Sequence, residues 1–168
     1  MQLLFSDEAL QLSTKHPVIF FNDQVFIFSK DFMAREKIKP IDFALKIDKE
    51  GFSNIGKTLI IPIGTKIIKK ERKFLLEKED YPDFIIDKKI KQASMLTRLI
   101  LFEKKLYITI QDFAKKSGIA MSTINSRISY TRSIPRKIMI KAGNNRLIPY
   151  DFVLPYSKAG RKKKGTAK

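Results

Sequence analysis

The sequence has no cysteine, no tryptophan and a single histidine. Without cysteine, disulfides and thiolate metal sites are excluded, and so little histidine argues against Ser-His-Asp or Cys-His catalysis. No stretch approaches the roughly 18 consecutive apolar residues of a membrane-spanning helix. The first residues, MQLLFSDEAL, have no basic region and acquire acids at once, which argues against a secretory signal. A cytoplasmic location is the default expectation. A phosphate-cradling glycine loop is also missing: GFSNIGKT (51–58) has the wrong spacing and no apolar strand before it. The last scarcity is acid. Seventeen Asp and Glu face 34 Lys and Arg, for a net charge of +17. Such an excess opposes compaction unless a polyanion neutralises it. Nucleic acid is the commonest such partner, and an anionic membrane is the rival.

What is present is a globular composition. The hydrophobic fraction is 43%, with 13 Phe among 168 residues, enough for one ordinary domain or two small ones. The phenylalanines alternate with Val and Ile, which favours core packing over base stacking. The end of the chain, SKAGRKKKGTAK (157–168), carries six positive charges and no large apolar side chain, so it reads as a disordered basic tail; the rest still holds +11.

Internal similarity organises the remainder. The segment VIFFNDQVFIFSKDFMAREKIKPIDFALKI (18–47) aligns without a gap on LILFEKKLYITIQDFAKKSGIAMSTINSRI (99–128), at an offset of 81. Seven pairs are identical: Ile19/Ile100, Phe21/Phe102, Ile27/Ile108, Asp31/Asp112, Phe32/Phe113, Ile38/Ile119 and Ile47/Ile128. A glycine-centred strand–turn–strand pattern follows each copy, TLIIPIGTKIIK (58–69, Gly64) and KIMIKAGNNRLIP (137–149, Gly143). Around EKEDYPD (77–83), Pro82 and the acidic cluster suit a linker. The expected organisation is therefore a first repeat over 1–80, a second over 84–156 and the tail over 157–168.

Each copy opens with a hairpin, VIFF-NDQ-VFIF or LILF-EKK-LYIT. A helix over 29–36 (110–117) follows, with Ser29 or Thr109 able to cap it. The second helix lies near 40–48 (121–131), with Pro40 at its first turn. Phe32, Ile38, Phe43 and Ile47, and likewise Phe113, Ile119, Ile124 and Ile128, fall in the seam between the helices. The glycine-centred hairpin packs as a wing. The fold class is α+β: two tandem winged helix-turn-helix units, each a β-hairpin, a two-helix unit and a β-hairpin wing.

The stretch ITIQDFAKKSGIAMSTINSRI (108–128) carries the chemistry. Ala114 lets two helices approach, Gly118 permits a left-handed turn residue, and Ile119 fills the space beneath. Ser122, Thr123, Asn125, Ser126 and Arg127 project from the second helix, and such short polar or cationic groups suit phosphates and base edges. The segment Thr109–Ile128, with Ile134-Pro135-Arg136-Lys137, Gly143-Asn144-Asn145-Arg146 and Pro149-Tyr150-Asp151-Phe152 behind it, resembles the helix-turn-helix of the MerR superfamily, in particular its small excisionase-like members of the phage AlpA type. Two positions depart: Ala120 stands where the family has a capping Ser, and Arg127 where an aromatic is common.

The resemblance implies that helix 121–131 enters the major groove of double-stranded DNA and that the wing meets the backbone or minor groove. The candidate DNA contacts are Thr109, Gln111, Ser122, Thr123, Asn125, Ser126 and Arg127, then Tyr130, Arg132, Arg136, Lys137, Lys141, Asn144, Asn145 and Arg146 along the backbone, and Lys158, Arg161, Lys162, Lys163 and Lys164 in the tail. The first repeat, with Asp42, Asp48 and Glu50 around its second helix, is expected to bind DNA poorly. It would serve as a packing partner, a dimerisation unit, a grip for a protein partner, or a weak reader through Lys37, Lys39 and Lys46. A homodimer and an internal pseudo-dimer both fit. No cofactor, metal or catalytic residue is expected. The function class is thus a non-enzymatic, nucleoid-associated DNA-binding regulator or accessory factor of phage or plasmid DNA transactions. The alternatives are an RNA- or single-strand-binding module and an antitoxin-like adaptor. A nuclease pattern at PDFIIDKK (82–89; Asp83, Asp87, Lys88) has its acids too close together for successive strands, and His16, before Pro17, reads as a solvated loop residue.

Overall fold

Each repeat begins one element earlier than the hydrophobic pattern predicts. In this computed structural model, which describes residues 4–47, 52–70, 73–78 and 83–155, a helix α1 (Asp7–Lys15) precedes the first hairpin. The first repeat continues through β1 (Val18–Phe21), β2 (Gln24–Phe28), α2 (Ser29–Arg35), α3 (Pro40–Lys46), β3 (Ser53–Ile55) and β4 (Thr58–Pro62). A separate hairpin, β5 (Thr65–Lys70) and β6 (Lys73–Lys78), stands between the repeats. The second repeat runs α4 (Lys88–Leu96), β7 (Leu99–Phe102), β8 (Lys105–Thr109), α5 (Ile110–Ser117), α6 (Met121–Ser129), β9 (Ile140–Ala142) and β10 (Asn145–Pro149), with a short 3-10 turn at Arg136–Ile138. Helices α1 and α4 start at equivalent positions and are capped alike. Ser6 Oγ accepts from Ala9 N at 3.3 Å, and Asp87 Oδ1 accepts from Ile90 N at 2.9 Å. Asp87 of the nuclease-like pattern is therefore a helix cap, and Asp83 pairs with Lys91 at 2.8 Å.

The structure moves the first of the two hairpins expected as wings. It is β3–β4, turning at Gly56, and not the Gly64 hairpin that the sequence pattern suggests. Gly64 lies in the turn leading into β5, and Arg35 fastens that turn by donating to the Ile63 and Thr65 carbonyls at 2.9 and 2.8 Å. The misalignment has a simple cause. The offset between repeats is 81 through α6 but 87 in the wings, because the second repeat carries six extra residues in the segment that includes the 3-10 turn. Two smaller corrections concern α2 and the helix ends. Phe28, not Ser29, occupies the cap position of α2 and makes no side-chain bond, while Thr109 does cap α5, accepting from Asp112 N at 3.1 Å. Helices α3 and α6 end at Lys46 and Ser129, two residues short of expectation.

Both repeats build one antiparallel sheet, in the order β3-β4-β2-β1-β7-β8-β10-β9. With equivalent strands matched, that order reads the same from either edge. At its centre β1 pairs with β7, with Ile19 opposite Ile100. The repeats also exchange contacts: α1 packs against β7 and α4 against β1. Glu103 N donates to the Ser13 carbonyl at 2.9 Å, and its counterpart Asn22 N donates to the Ser94 carbonyl at 3.0 Å.

The helices cover one face of the sheet, over a core that includes Phe5, Phe20, Ile27, Phe32, Phe43, Leu99, Ile108, Phe113, Ile124 and Ile128. The other face, which none of the described helices covers, is also buried. Ile19, Phe26, Phe28, Ile55, Ile60, Ile100, Tyr107, Ala142 and Leu147 pack together there, because the sheet curls until the two wing tips meet. With apolar groups demanded on both faces, β2 reads as a continuous apolar run and not as an alternation. Among the described residues no helix is long and apolar enough to cross a membrane.

Candidate nucleic-acid interface

Helix α5 leads to α6 through Gly118, Ile119 and Ala120. Gly118 ends α5 at φ 67°, the left-handed conformation that glycine adopts without a Cβ penalty. Ile119 N then bonds the Ala114 carbonyl at 3.2 Å. Ile124 and Ile128 are buried and fix the inner face of α6. Its outer face follows from that register: Ser122, Thr123 and Asn125 are exposed, and Ser126 and Arg127 are half-buried. Tyr130, just past the last turn, is 84% exposed. Ala120 provides no side-chain cap, so the first-turn N–H groups of α6 are left to outside acceptors. Of the other named cations, Arg132, Arg136, Lys137, Lys141 and Arg146 are all exposed.

Three of the named side chains are engaged within the protein. Thr109 is buried, and its hydroxyl donates to Asp112 Oδ2 at 2.9 Å while capping α5. Asp112 in turn receives Arg98 Nε at 3.1 Å. Gln111 is exposed but accepts from Arg98 Nη2 at 3.2 Å. Asn145 turns to the first repeat, donating to the Ile55 carbonyl at 3.2 Å and lying 3.4 Å from Thr58 Oγ1. The wing of the second repeat is thereby tied to the wing of the first. The contact is reciprocal: a Cβ on Gly143 would stand 3.0 Å from Thr58, and one on Gly56 3.0 Å from Asn145. Only Asn144 and Arg146 of the wing-tip run remain turned to solvent. Lys158, Arg161, Lys162, Lys163 and Lys164 lie outside the described residues, as do Asp48, Glu50 and the side chain of Lys46.

Further cations stand beyond those that the sequence motif picks out. Lys104, in the β7–β8 turn, and Lys105, which opens β8, line a groove of about 870 Å³ together with Lys137, Tyr107 and Tyr150. Lys116 lies over the Tyr150 ring, 3.8 Å from its centroid, and donates to the Tyr150 carbonyl at 2.6 Å. Burial lowers its pKa, and Asp151 pulls the other way. The signal that finds these residues is charge counted by repeat. Residues 83–155 hold fourteen basic and five acidic side chains, whereas residues 4–62 hold eight of each. The strands show it position by position: Arg146 and Lys141 of the second wing correspond to Leu59 and Asn54 of the first.

His16 lies between α1 and β1 as expected, but it is only partly exposed. It caps the end of α1 through its N–H, and its Nδ1 is buried without a hydrogen-bond partner. No family model, curated protein or solved structure matches the chain.

Proposed function

We propose that the chain is a sequence-specific double-stranded DNA-binding protein, with α6 as its reading helix. In this reading the two repeats are winged helix-turn-helix units of the MerR and excisionase type, arranged as an internal pseudo-dimer in which only the second repeat reads DNA. The observation that carries it is the face of α6. Short uncharged hydrogen-bonding side chains stand exposed on a helix whose opposite side is locked by Ile124 and Ile128, within the repeat that holds the excess of positive charge. A helix of this kind fits the major groove, where Asn pairs with adenine and Arg with guanine. Arg132, Arg136, Lys137, Lys141 and Arg146 would neutralise phosphates and set the register. Lys104 and Lys105 join them as further backbone contacts.

The wing has a different part from the one that the family resemblance implies. Its tip holds the two repeats together through Asn145, so its DNA contacts reduce to Arg146, Lys141 and Asn144. A regulator of transcription or an accessory factor in phage or plasmid DNA transactions, associated with the nucleoid, is the cellular role that suits such a binder. Selection of bound duplexes from a random pool tests the reading: an enriched motif supports it, and retention of unselected sequence alone rejects it. Single-stranded DNA and RNA probes in the same assay test the groove beside Lys104, Lys105 and Tyr150 as a single-strand site.

A further inference from the structure

The outer stripe of α3 is apolar where that of α6 is polar. Pro40, Ile41, Ala44 and Leu45 are exposed, Ile41 at 64% and Leu45 at 78%. The 81-residue correspondence sets them at the positions of Met121, Ser122, Asn125 and Ser126. The scaffold and helix register are shared, and at three of the four positions, all but Pro40 and Met121, the chemistry is opposite. Nor is this stripe a core face left uncovered, because α3 already buries Phe43 against Phe32, with ring centroids 6.2 Å apart.

We propose that this stripe is where a second copy of the chain docks, α3 against α3 about a two-fold axis. Ile41 and Leu45 lie one turn apart on one side of the helix, so an antiparallel pair brings Ile41 of each copy against Leu45 of the other. Charge selects the occupant. Two copies meeting through their second repeats would oppose fourteen basic against five acidic side chains on each side, whereas the first repeats, with eight of each, meet without net repulsion. Nucleic acid and acidic proteins are drawn to the second repeat for the same reason, which leaves α3 to a neutral apolar surface. An isologous contact supplies that surface. The four-residue stripe is much smaller than a standard interface of roughly 20–30 residues a side. The pairing is therefore weak, with a dissociation constant on the order of 10⁻⁵ M. It does not depend on DNA reading, and it would leave both α6 helices free.

Sedimentation of the full chain from about 5 to 500 µM, a range that brackets this constant, tests it in the absence of DNA. The wild type should pass from monomer to dimer. The double variant Ile41→Ser, Leu45→Ser, which borrows the residues that α6 carries at those positions, should weaken association at least roughly tenfold. Because the chain has no cysteine, oxidation of an equimolar mixture of Ile41→Cys and Leu45→Cys should give a disulfide-linked dimer on a denaturing gel, since the two-fold sets these positions opposite each other, and Ser126→Cys should not. A wild type that stays monomeric throughout, a double variant that associates as the wild type does, or cross-linking through Ser126→Cys in place of the Ile41→Cys and Leu45→Cys mixture overturns the proposal.

Discussion

Ile19 lies directly opposite Ile100 at the seam between β1 and β7, and each is the other's counterpart in the repeat. Both are fully buried in the core enclosed by the curled sheet. Truncation of either to Ala leaves a cavity at the strand pair that the repeats share, and should cost about 2–5 kcal/mol. The sheet is continuous, so urea should unfold both repeats in a single transition, shifted comparably by Ile19→Ala and Ile100→Ala. Two separable transitions, one of them indifferent to Ile19→Ala, would mean that the repeats fold independently.

The turns of the two central hairpins hold the same shape with unequal ease. Asn22 and Asp23 have φ of 50° and 58°, and Glu103 and Lys104 have φ of 48° and 60°. Asn and Asp tolerate left-handed backbone, whereas Glu and Lys pay for it. The second turn is held because Glu103 N and Lys104 N donate to the Ser13 carbonyl and hydroxyl at 2.9 and 3.2 Å. Lys104→Gly removes a left-handed strain of roughly 1–2 kcal/mol against a glycine entropy cost of about 0.5–1 kcal/mol, so it should stabilise the protein by up to about 1 kcal/mol, read as a higher urea midpoint. A lower midpoint would mean that the Lys104 side chain itself supports the turn.

The repeat, both central hairpins and the seam residues of α2, α3, α5 and α6 were legible because strongly apolar positions recur there at fixed spacing. Helices α1 and α4 were not legible. Each buries little apolar area, with only Ala9 and Leu10 of α1 and no apolar residue of α4 fully covered, so no stripe announces them. Their caps, Ser6 and Asp87, were the readable signal. The first wing was misplaced because Gly64 and Gly56 both sit in turns, and an alignment without gaps could not absorb six extra residues. At the candidate site, the outward set on α6 followed from helical period alone. The turning of Asn145 toward Ile55 did not, since the curl that joins the wing tips is a long-range property of the sheet.

Asp31 and Asp112 are counterparts in unlike surroundings. Asp112 meets Arg98 and Thr109, but the first repeat has Pro17 and Phe28 at those positions. Burial raises the Asp31 pKa, with His16 and Lys30 pulling it down less strongly. A carboxyl whose folded value is raised contributes its stability below the unfolded value of 3.8 and loses it as pH rises through the folded value. Asp31→Asn should therefore melt like the wild type near about pH 3 and higher than the wild type at about pH 7. The difference is small for a half-exposed group. A variant that melts lower at neutral pH would show that the charged carboxylate is stabilising.

The DNA reading divides its residues into two classes with different signatures. Asn125 and Arg127 face the bases in the proposed complex. Asn125→Ala or Arg127→Ala should weaken binding to a selected duplex by about 1–3 kcal/mol, close to tenfold or a hundredfold, while affinity for random duplex changes little. Lys137→Ala and Arg146→Ala remove phosphate contacts, so both duplexes should lose affinity alike and the salt slope should fall by about one for each. With roughly six to ten phosphate contacts in all, wild-type affinity should drop by a factor on the order of 10³–10⁵ between about 50 and 200 mM salt. Asn145→Ala separates anchoring from reading. It breaks the bond to the Ile55 carbonyl and should lower stability by about 1 kcal/mol, yet leave sequence preference intact. Equal losses on selected and random duplex for Asn125→Ala and Arg127→Ala would remove α6 as the reader, and lost preference in a folded Asn145→Ala protein would return the wing tip to the bases.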